Sequence, residues 1–234
     1  MHLRSRNLSL DMPGSALVVA PHPDDEALGC GGAVALLAGA GAPVHVVFVT
    51  DGSASHPAHP TLSPNDIAVM RKAEAREATA ILGVGPEHVS FMEGPDGQIA
   101  NLGTDGTDRM ASRIASLLER LSPDAILLPG RRDGSTDHES VFRIVRLAVR
   151  KSGRRPRVLE FPIWAWRNPM LLMKPVLTSR SVRRLDIRGA LAVKARAIEA
   201  HASQVRPLPP ERDALLSTSF IAEFKRSDEY YFES

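Results

Sequence analysis

A single cysteine, Cys30, in 234 residues leaves the chain no intrachain disulfide to form. That scarcity favours a reducing compartment, and a cytoplasmic protein is the expectation. No apolar run approaches the roughly 20 residues that span a bilayer. Residues 1–14 are polar and hold no apolar signal core. No transmembrane segment is therefore expected, although peripheral membrane attachment stays open. Aromatic residues make up only 5% of the chain, too few for a platform that stacks single-stranded bases. Nucleic-acid-binding motifs are missing as well, so a nucleic-acid partner is not expected. The same scarcity predicts a core of Ala, Leu, Val and Ile. Internal repeats and low-complexity tracts are absent.

What is present is ordinary in amount. An apolar content of 43% and a charged content of 24% describe a soluble globular protein. The length suits one large domain with extensions. We expect a tail over 1–14, a domain over 15–205 and a C-terminal extension over 206–234 that packs on it. The net charge of +2 hides an asymmetry. Residues 1–130 hold 8 Lys and Arg against 15 Asp and Glu, a net of −7; the remainder holds 21 against 12, a net of +9. Basic runs at Arg143–Arg157 and Arg180–Arg188 read first as solvated faces. Attraction to an anionic substrate, a lipid surface or nucleic acid is the sharper alternative.

Apolar and β-branched runs alternate with helix-length amphipathic stretches. Strands are expected at Ala16–Ala20, Val44–Thr50, His88–Met92, Ala125–Leu128 and Arg157–Phe161. Helices are expected at Glu26–Gly39, Asp66–Leu82, Asp105–Leu121 and Asp137–Lys151. This alternation predicts an α/β fold, a doubly wound and mostly parallel sheet. Beyond Phe161 the pattern weakens. An irregular stretch over 162–181 holds both tryptophans, a strand is expected at Val182–Ile187 and a helix at Gly189–His201.

The chemistry concentrates where a strand gives way to a helix, at Pro21-His22-Pro23-Asp24-Asp25-Glu26. In open α/β sheets that end of the strands binds ligands. His22 and Asp25, three apart, can grip one ion, and Asp24 stands between them as a base. Asp137-His138 follows a later parallel strand and emerges at the same sheet edge. Two imidazoles and one carboxylate make a three-ligand set of the kind catalytic zinc uses, with a position left for water. Asp24 could then take a proton and return it to a leaving amine. The bland readings compete: Asp24 or Asp25 as a cap of the first helix, Asp137 as a cap of the later one. Among the other histidines, His45 reads as structural and His88 as surface, while His56, His59 and His201 could reach the pocket. Cys30 reads as a core residue.

The segment from Pro21 to Glu26, followed by Gly29-Cys30-Gly31-Gly32, resembles the signature of the LmbE-like, or PIG-L, family of zinc-dependent N-deacetylases. Thr50-Asp51-Gly52, Arg71-Lys72-Ala73-Glu74-Ala75, Leu82-Gly83-Val84, Pro95-Asp96-Gly97, Asp137-His138 and His201-x-Ser203-Gln204 resemble further family segments in the same order. The likeness spans about residues 15 to 205. It implies a Rossmann-like domain that removes an acetyl group from an N-acetylglucosamine-type conjugate. It also implies Zn2+ on His22, Asp25 and His138, and Asp24 as general base. Arg71 and Asp96 would hold sugar hydroxyls, and Asp137 would help polarise the reacting region. One departure stands out. Several members carry a second histidine three residues before the distal metal histidine, and here that residue is Ser135. Arg131, Arg132, the metal or a backbone N–H would have to meet the oxyanion instead.

The substrate expected is a small amino-sugar conjugate, with an anionic aglycone suggested by the basic C-terminal half. A homo-oligomer is compatible with the sequence. Two other classes compete. A dinucleotide enzyme is disfavoured because Gly29-Cys30-Gly31-Gly32 is not G-x-G-x-x-G and follows carboxylates that repel phosphate. An altered family member that binds a sugar or cleaves another small amide is favoured mildly by Ser135 and opposed by the intact His22, Asp24, Asp25 and His138.

Overall fold

Every residue of Ala16–Ala20 (β2) is buried, as a strand covered on both faces requires. Its side chains divide by parity. Ala16, Val18 and Ala20 join one core with Ala27, Val34, Ala75 and Ala78, whereas Leu17 and Val19 join a second with Ile114, Leu118, Val141 and Val145. Helices therefore cover both faces of one sheet. The computed structural model describes residues 6–8, 12–168, 170–171 and 181–233.

Among the described residues the sheet has eight strands: Arg6–Asn7 (β1), β2, Val44–Thr50 (β3), Val89–Gly94 (β4), Ala125–Pro129 (β5), Arg157–Phe161 (β6), Ser181–Asp186 (β7) and Asp228–Glu233 (β8). Their order is β1-β7-β8-β6-β5-β2-β3-β4. Pairings are parallel except those of β8 with β6 and β7. From β2 the chain runs outward to β3 and β4, then returns to β5 on β2's other side. The crevice at the carboxyl ends of β2 and β5 is thus the topological switch point.

Asp25–Gly39 (α1) and Pro64–Ile81 (α2) lie on one face, and Gly103–Leu121 (α3) and Thr136–Ser152 (α4) on the other. The helix Leu191–Ala200 packs on α1 and α2. No described helix is long and apolar enough to cross a membrane. α2 begins two residues before the expected Asp66, because Ser63 and Asp66 form a capping box and Pro64 fits the first turn. Of the irregular stretch expected over 162–181, residues 169 and 172–180 lie outside the described residues; Trp164–Arg167 forms a 3₁₀ turn.

The C-terminal residues enter the sheet rather than only resting on it, since β8 separates β6 from β7. β8 also completes α1. That helix breaks at Cys30 (φ −141°, ψ 16°). Beyond the break the Gly32 and Ala33 N–H groups donate to the Glu229 carboxylate of β8, at 2.7 and 2.9 Å. Lys194 Nζ and the Tyr231 hydroxyl also donate to Glu229, each at 2.6 Å. A buried carboxylate with four donors is a satisfied one. Close approach dictates Gly29 in the same helix: a Cβ there would stand 2.0 Å from Phe161 Cδ2.

Candidate metal centre and pocket

The β2–α1 turn brings His22 and Asp25 together, with the His22 N–H donating to Asp25 Oδ2 at 2.9 Å. The β5–α4 loop delivers His138, fully buried in the first turn of α4. Three donor atoms converge. His22 Nδ1 lies 3.3 Å from Asp25 Oδ2, His138 Nε2 lies 3.3 Å from the same oxygen, and the two ring nitrogens are 3.2 Å apart. Tetrahedral zinc with bonds of about 2.0–2.1 Å holds its donors about 3.3–3.4 Å apart. The donor types and their spacing therefore fit a small divalent ion.

Each imidazole is held from behind, which fixes ring orientation and tautomer. His138 Nδ1 is 2.7 Å from Asp133 Oδ2. His22 Nε2 faces Asp96 Oδ1 at 3.1 Å and Asp137 Oδ2 at 3.4 Å. Asp137 in turn accepts the N–H groups of Gly97 (2.8 Å) and Ile99 (3.1 Å). Asp137 thus ties the β4–α3 loop to His22, and its geometry is that of a positioning group. Asp96 is shared between His22 and the Ala54 N–H, at 2.9 Å.

Burial and charge set the protonation of this cluster. Burial works to lower His138, but the Asp25 and Asp133 carboxylates outweigh it and raise the group to about 9. His22 is likewise pulled down by burial and raised overall by Asp137, Asp25 and Asp96. Asp25 is disfavoured by burial yet held well below the usual carboxylate range by His138 and His22. A cation is what this donor set calls for, and a metal ion must displace those protons to bind.

Asp24 stands at the N-cap position of α1 with a positive φ of 143°, and its side chain makes no capping hydrogen bond. Its backbone N–H donates to Glu26 Oε2 at 3.0 Å, and Glu26 Oε1 lies 2.7 Å from His201 Nε2. Burial pushes the Asp24 carboxyl up to about 6, against the lowering effect of Arg71. Arg71 Nη2 lies 3.2 Å from Asp24 Oδ2 and donates to the Pro23 carbonyl at 2.5 Å; Nη1 donates to the Gly52 carbonyl at 3.1 Å. Gly52 (φ +72°) must be glycine, because a Cβ would fall 2.8 Å from that Nη1. Only Nε of the Arg71 guanidinium lacks a partner.

These groups open on a cavity of about 520 Å³. His22, Asp24, Asp25, Arg71 and Asp96 line it together with Ser55, Ser135 and Gln204. Ser55 Oγ is buried and without a hydrogen-bond partner. Ser135 caps α4, its oxygen 3.5 Å from the His138 N–H. Arg131, one of the expected substitutes at the oxyanion, is committed elsewhere: its Nε donates to both Glu160 oxygens at 3.1 and 3.0 Å. Arg132 is exposed and does not line the cavity. His56 and His59 do not line it either. His56 joins Glu211 and the Ser203 carbonyl, at 2.8 and 3.1 Å, and His59 joins the Pro209 carbonyl at 2.9 Å. His45 meets Ser90 Oγ at 2.8 Å, as a structural strand residue does.

Sequence reasoning passed over Asp133, Glu26 and Ser55. Asp133 had a readable signal, an acid five residues ahead of a metal-type histidine. The other two had none beyond adjacency.

The family model described as PIG-L, GlcNAc-PI de-N-acetylase, matches residues 17–149. A 1D-myo-inositol 2-acetamido-2-deoxy-alpha-D-glucopyranoside deacetylase of Rhodococcus opacus (strain B4) is 28% identical, over 86% of this chain and 85% of its own. A diacetylchitobiose deacetylase of Thermococcus kodakarensis is 26% identical, over 80% of this chain and 69% of its own. Among solved structures, the zinc-inhibited form of a teicoplanin deacetylase superposes with a TM-score of 0.71, at 16% identity, covering 94% of this chain and 97% of that one. That likeness is one of fold.

Proposed function

Because the chain belongs to the PIG-L family, we propose that it is a zinc-dependent hydrolase that removes the acetyl group from the amide nitrogen of an N-acetylglucosamine-type conjugate. The observation that carries this reading is the convergence of His22 Nδ1, Asp25 Oδ2 and His138 Nε2 at tetrahedral spacing beside a cavity of about 520 Å³ that His22 and Asp25 line. A divalent ion bound by the three supplies Lewis acidity and a more acidic water.

This chain's own residues do the rest. Asp24 accepts a proton from the attacking water and returns it to the amine nitrogen as the C–N bond breaks; acetate and a free amino sugar leave. A carboxyl raised to about 6 is suited to both transfers near neutral pH. Arg71 keeps Asp24 oriented and offers Nε to the substrate. Asp96 and Ser55, both on the cavity wall, hold sugar hydroxyls. Ser135, or a backbone N–H of its loop, takes the place of the second family histidine at the developing oxyanion. The single buried cysteine supports a cytoplasmic location.

Metal analysis and an amine-release assay on acetamido sugars test the proposal. One zinc per chain and turnover abolished by Asp24→Asn, with metal retained, is the expected result. Full activity in Asp24→Asn overturns the assigned base. Metal binding without amine release from any acetamido sugar overturns the reaction.

A further inference from the structure

Beside its charged groups the cavity is lined by Ile163, Trp164, Leu171, Leu215, Leu216 and Phe220, with Asn168 and Gln204 among them. Trp164 and Phe220 stack, ring centres 5.1 Å apart and planes 17° from parallel. Leu215 stays 48% exposed on this wall, one of three large apolar side chains so exposed among the described residues. A sugar hydroxyl finds few partners along such a surface, whereas an alkyl chain or ring loses water against it.

Charge points the same way. Among the described residues, Arg71 is the cation that lines the cavity, and it already faces Asp24 and two carbonyls. Three carboxylates, Asp24, Asp25 and Asp96, share that lining. Three members of the basic C-terminal runs pair elsewhere: Arg183 with Glu233, Arg188 with Asp186, Lys151 with Asp108. Among the described residues, the anionic aglycone suggested by net charge meets no cation on the cavity lining but Arg71; Arg167, whose guanidinium carbon lies 5.4 and 4.7 Å from the Trp164 and Phe220 ring centres, is not part of that lining.

The apolar wall is also fastened to the metal-type donors. The N–H groups of Ile163, Trp164 and Ala165 donate to Asp133 at 2.8, 3.0 and 3.2 Å, and Asp133 holds His138. Leu171 lies close over Gly134, its Cδ1 2.9 Å from where a Cβ would stand. A group attached to a sugar whose acetamide sits at the donors therefore meets this wall.

We propose that the substrate is an N-acetylglucosamine conjugate with an uncharged, apolar aglycone, alkyl or aryl, and that the Trp164–Phe220–Leu215 wall selects it. The proposal rests on the deacetylase reading and narrows it.

The experiment compares methyl, butyl, octyl and 4-carboxybutyl glycosides of N-acetylglucosamine with the zinc-loaded protein, below micelle-forming concentrations. kcat/KM should rise about two- to fourfold for each methylene that reaches the wall. The carboxybutyl glycoside should fall below the butyl one. Leu215→Asn, at an exposed position, should shrink the octyl-to-methyl ratio. Binding of octyl glucoside, which carries no acetamide, is followed in parallel by tryptophan fluorescence. Amine release that is equal across the series, or best with the carboxylate, overturns the apolar wall and leaves the deacetylase standing. No amine release from any glycoside, with octyl glucoside still bound and weakened by Leu215→Asn, overturns the reaction and leaves the wall.

Discussion

His138 Nδ1 lies 2.7 Å from Asp133 Oδ2, and neither side chain has any exposed surface. The same carboxylate accepts three backbone N–H groups from residues 163–165. One side chain therefore sets the direction of a metal-type donor and the position of the pocket wall.

Asp133→Asn removes the charge while nearly keeping the shape. Loss of a carboxylate behind a metal-binding histidine typically costs about 10–100-fold in metal affinity. Zinc affinity measured by chelator competition should fall by that order. An unchanged affinity would mean that His138 does not bind metal through Nε2.

Arg71 and Asp24 supply a prediction about pH. A base must be ionised to work, so the rate falls as pH drops through its pKa. Burial holds Asp24 at about 6, and Arg71 keeps it from rising further. Arg71→Met removes a cation and raises that pKa. The acid limb of the kcat profile should therefore move to higher pH. A bound metal lowers the limb in both proteins and leaves the sign of the difference intact. A limb that stays in place, or moves to lower pH, separates Arg71 from the base.

Glu26 holds Asp24 from behind. Its Oε2 accepts the Asp24 N–H at 3.0 Å, in a residue whose φ of 143° few side chains tolerate. Its other oxygen is engaged by His201 at 2.7 Å. Glu26→Leu should lower kcat on the order of 10–100-fold through a misplaced base, with zinc stoichiometry intact and KM little changed. Loss of zinc together with activity would assign Glu26 to the stability of the turn instead.

Gly29 tests the packing of α1 on β6. Alanine there drives a methyl into the Phe161 ring, 2.0 Å from Cδ2, while at Gly39 it meets nothing within 4 Å. Overpacking of this kind costs about 1–3 kcal/mol. Gly29→Ala should lower the denaturant midpoint accordingly, and Gly39→Ala, inside the same helix, should hold or raise it.

The elements legible in the sequence were those with local signals. β2 is a continuous apolar run and β3 a β-branched one interrupted by His45, and His22, Asp24 and Asp25 announce themselves at the switch from strand to helix. Even the meeting of His22 with His138 follows from parallel topology alone, because both leave the sheet at the same edge. The rest depends on distant contacts. Asp133 in Arg131-Arg132-Asp133-Gly134 has the look of a turn residue, and only the fold reveals three amides pointed at it. β8 has no local signal beyond that of an extension, because its insertion between β6 and β7 is a tertiary event. The basic runs are silent on partners for a related reason. Charge in a sequence carries no direction, and Arg183 and Arg188 spend theirs on Glu233 and Asp186.

The break of α1 at Cys30 ties the first motif to almost the last strand. Glu229, nearly two hundred residues downstream, receives the amides that the break leaves bare. On a ribosome, every metal-type donor is synthesised by residue 138, yet the helix that begins at Asp25 is finished only when Glu229 emerges. A polypeptide cut short before β8 would carry the whole signature and lack the carboxylate that receives the bare amides of its first helix.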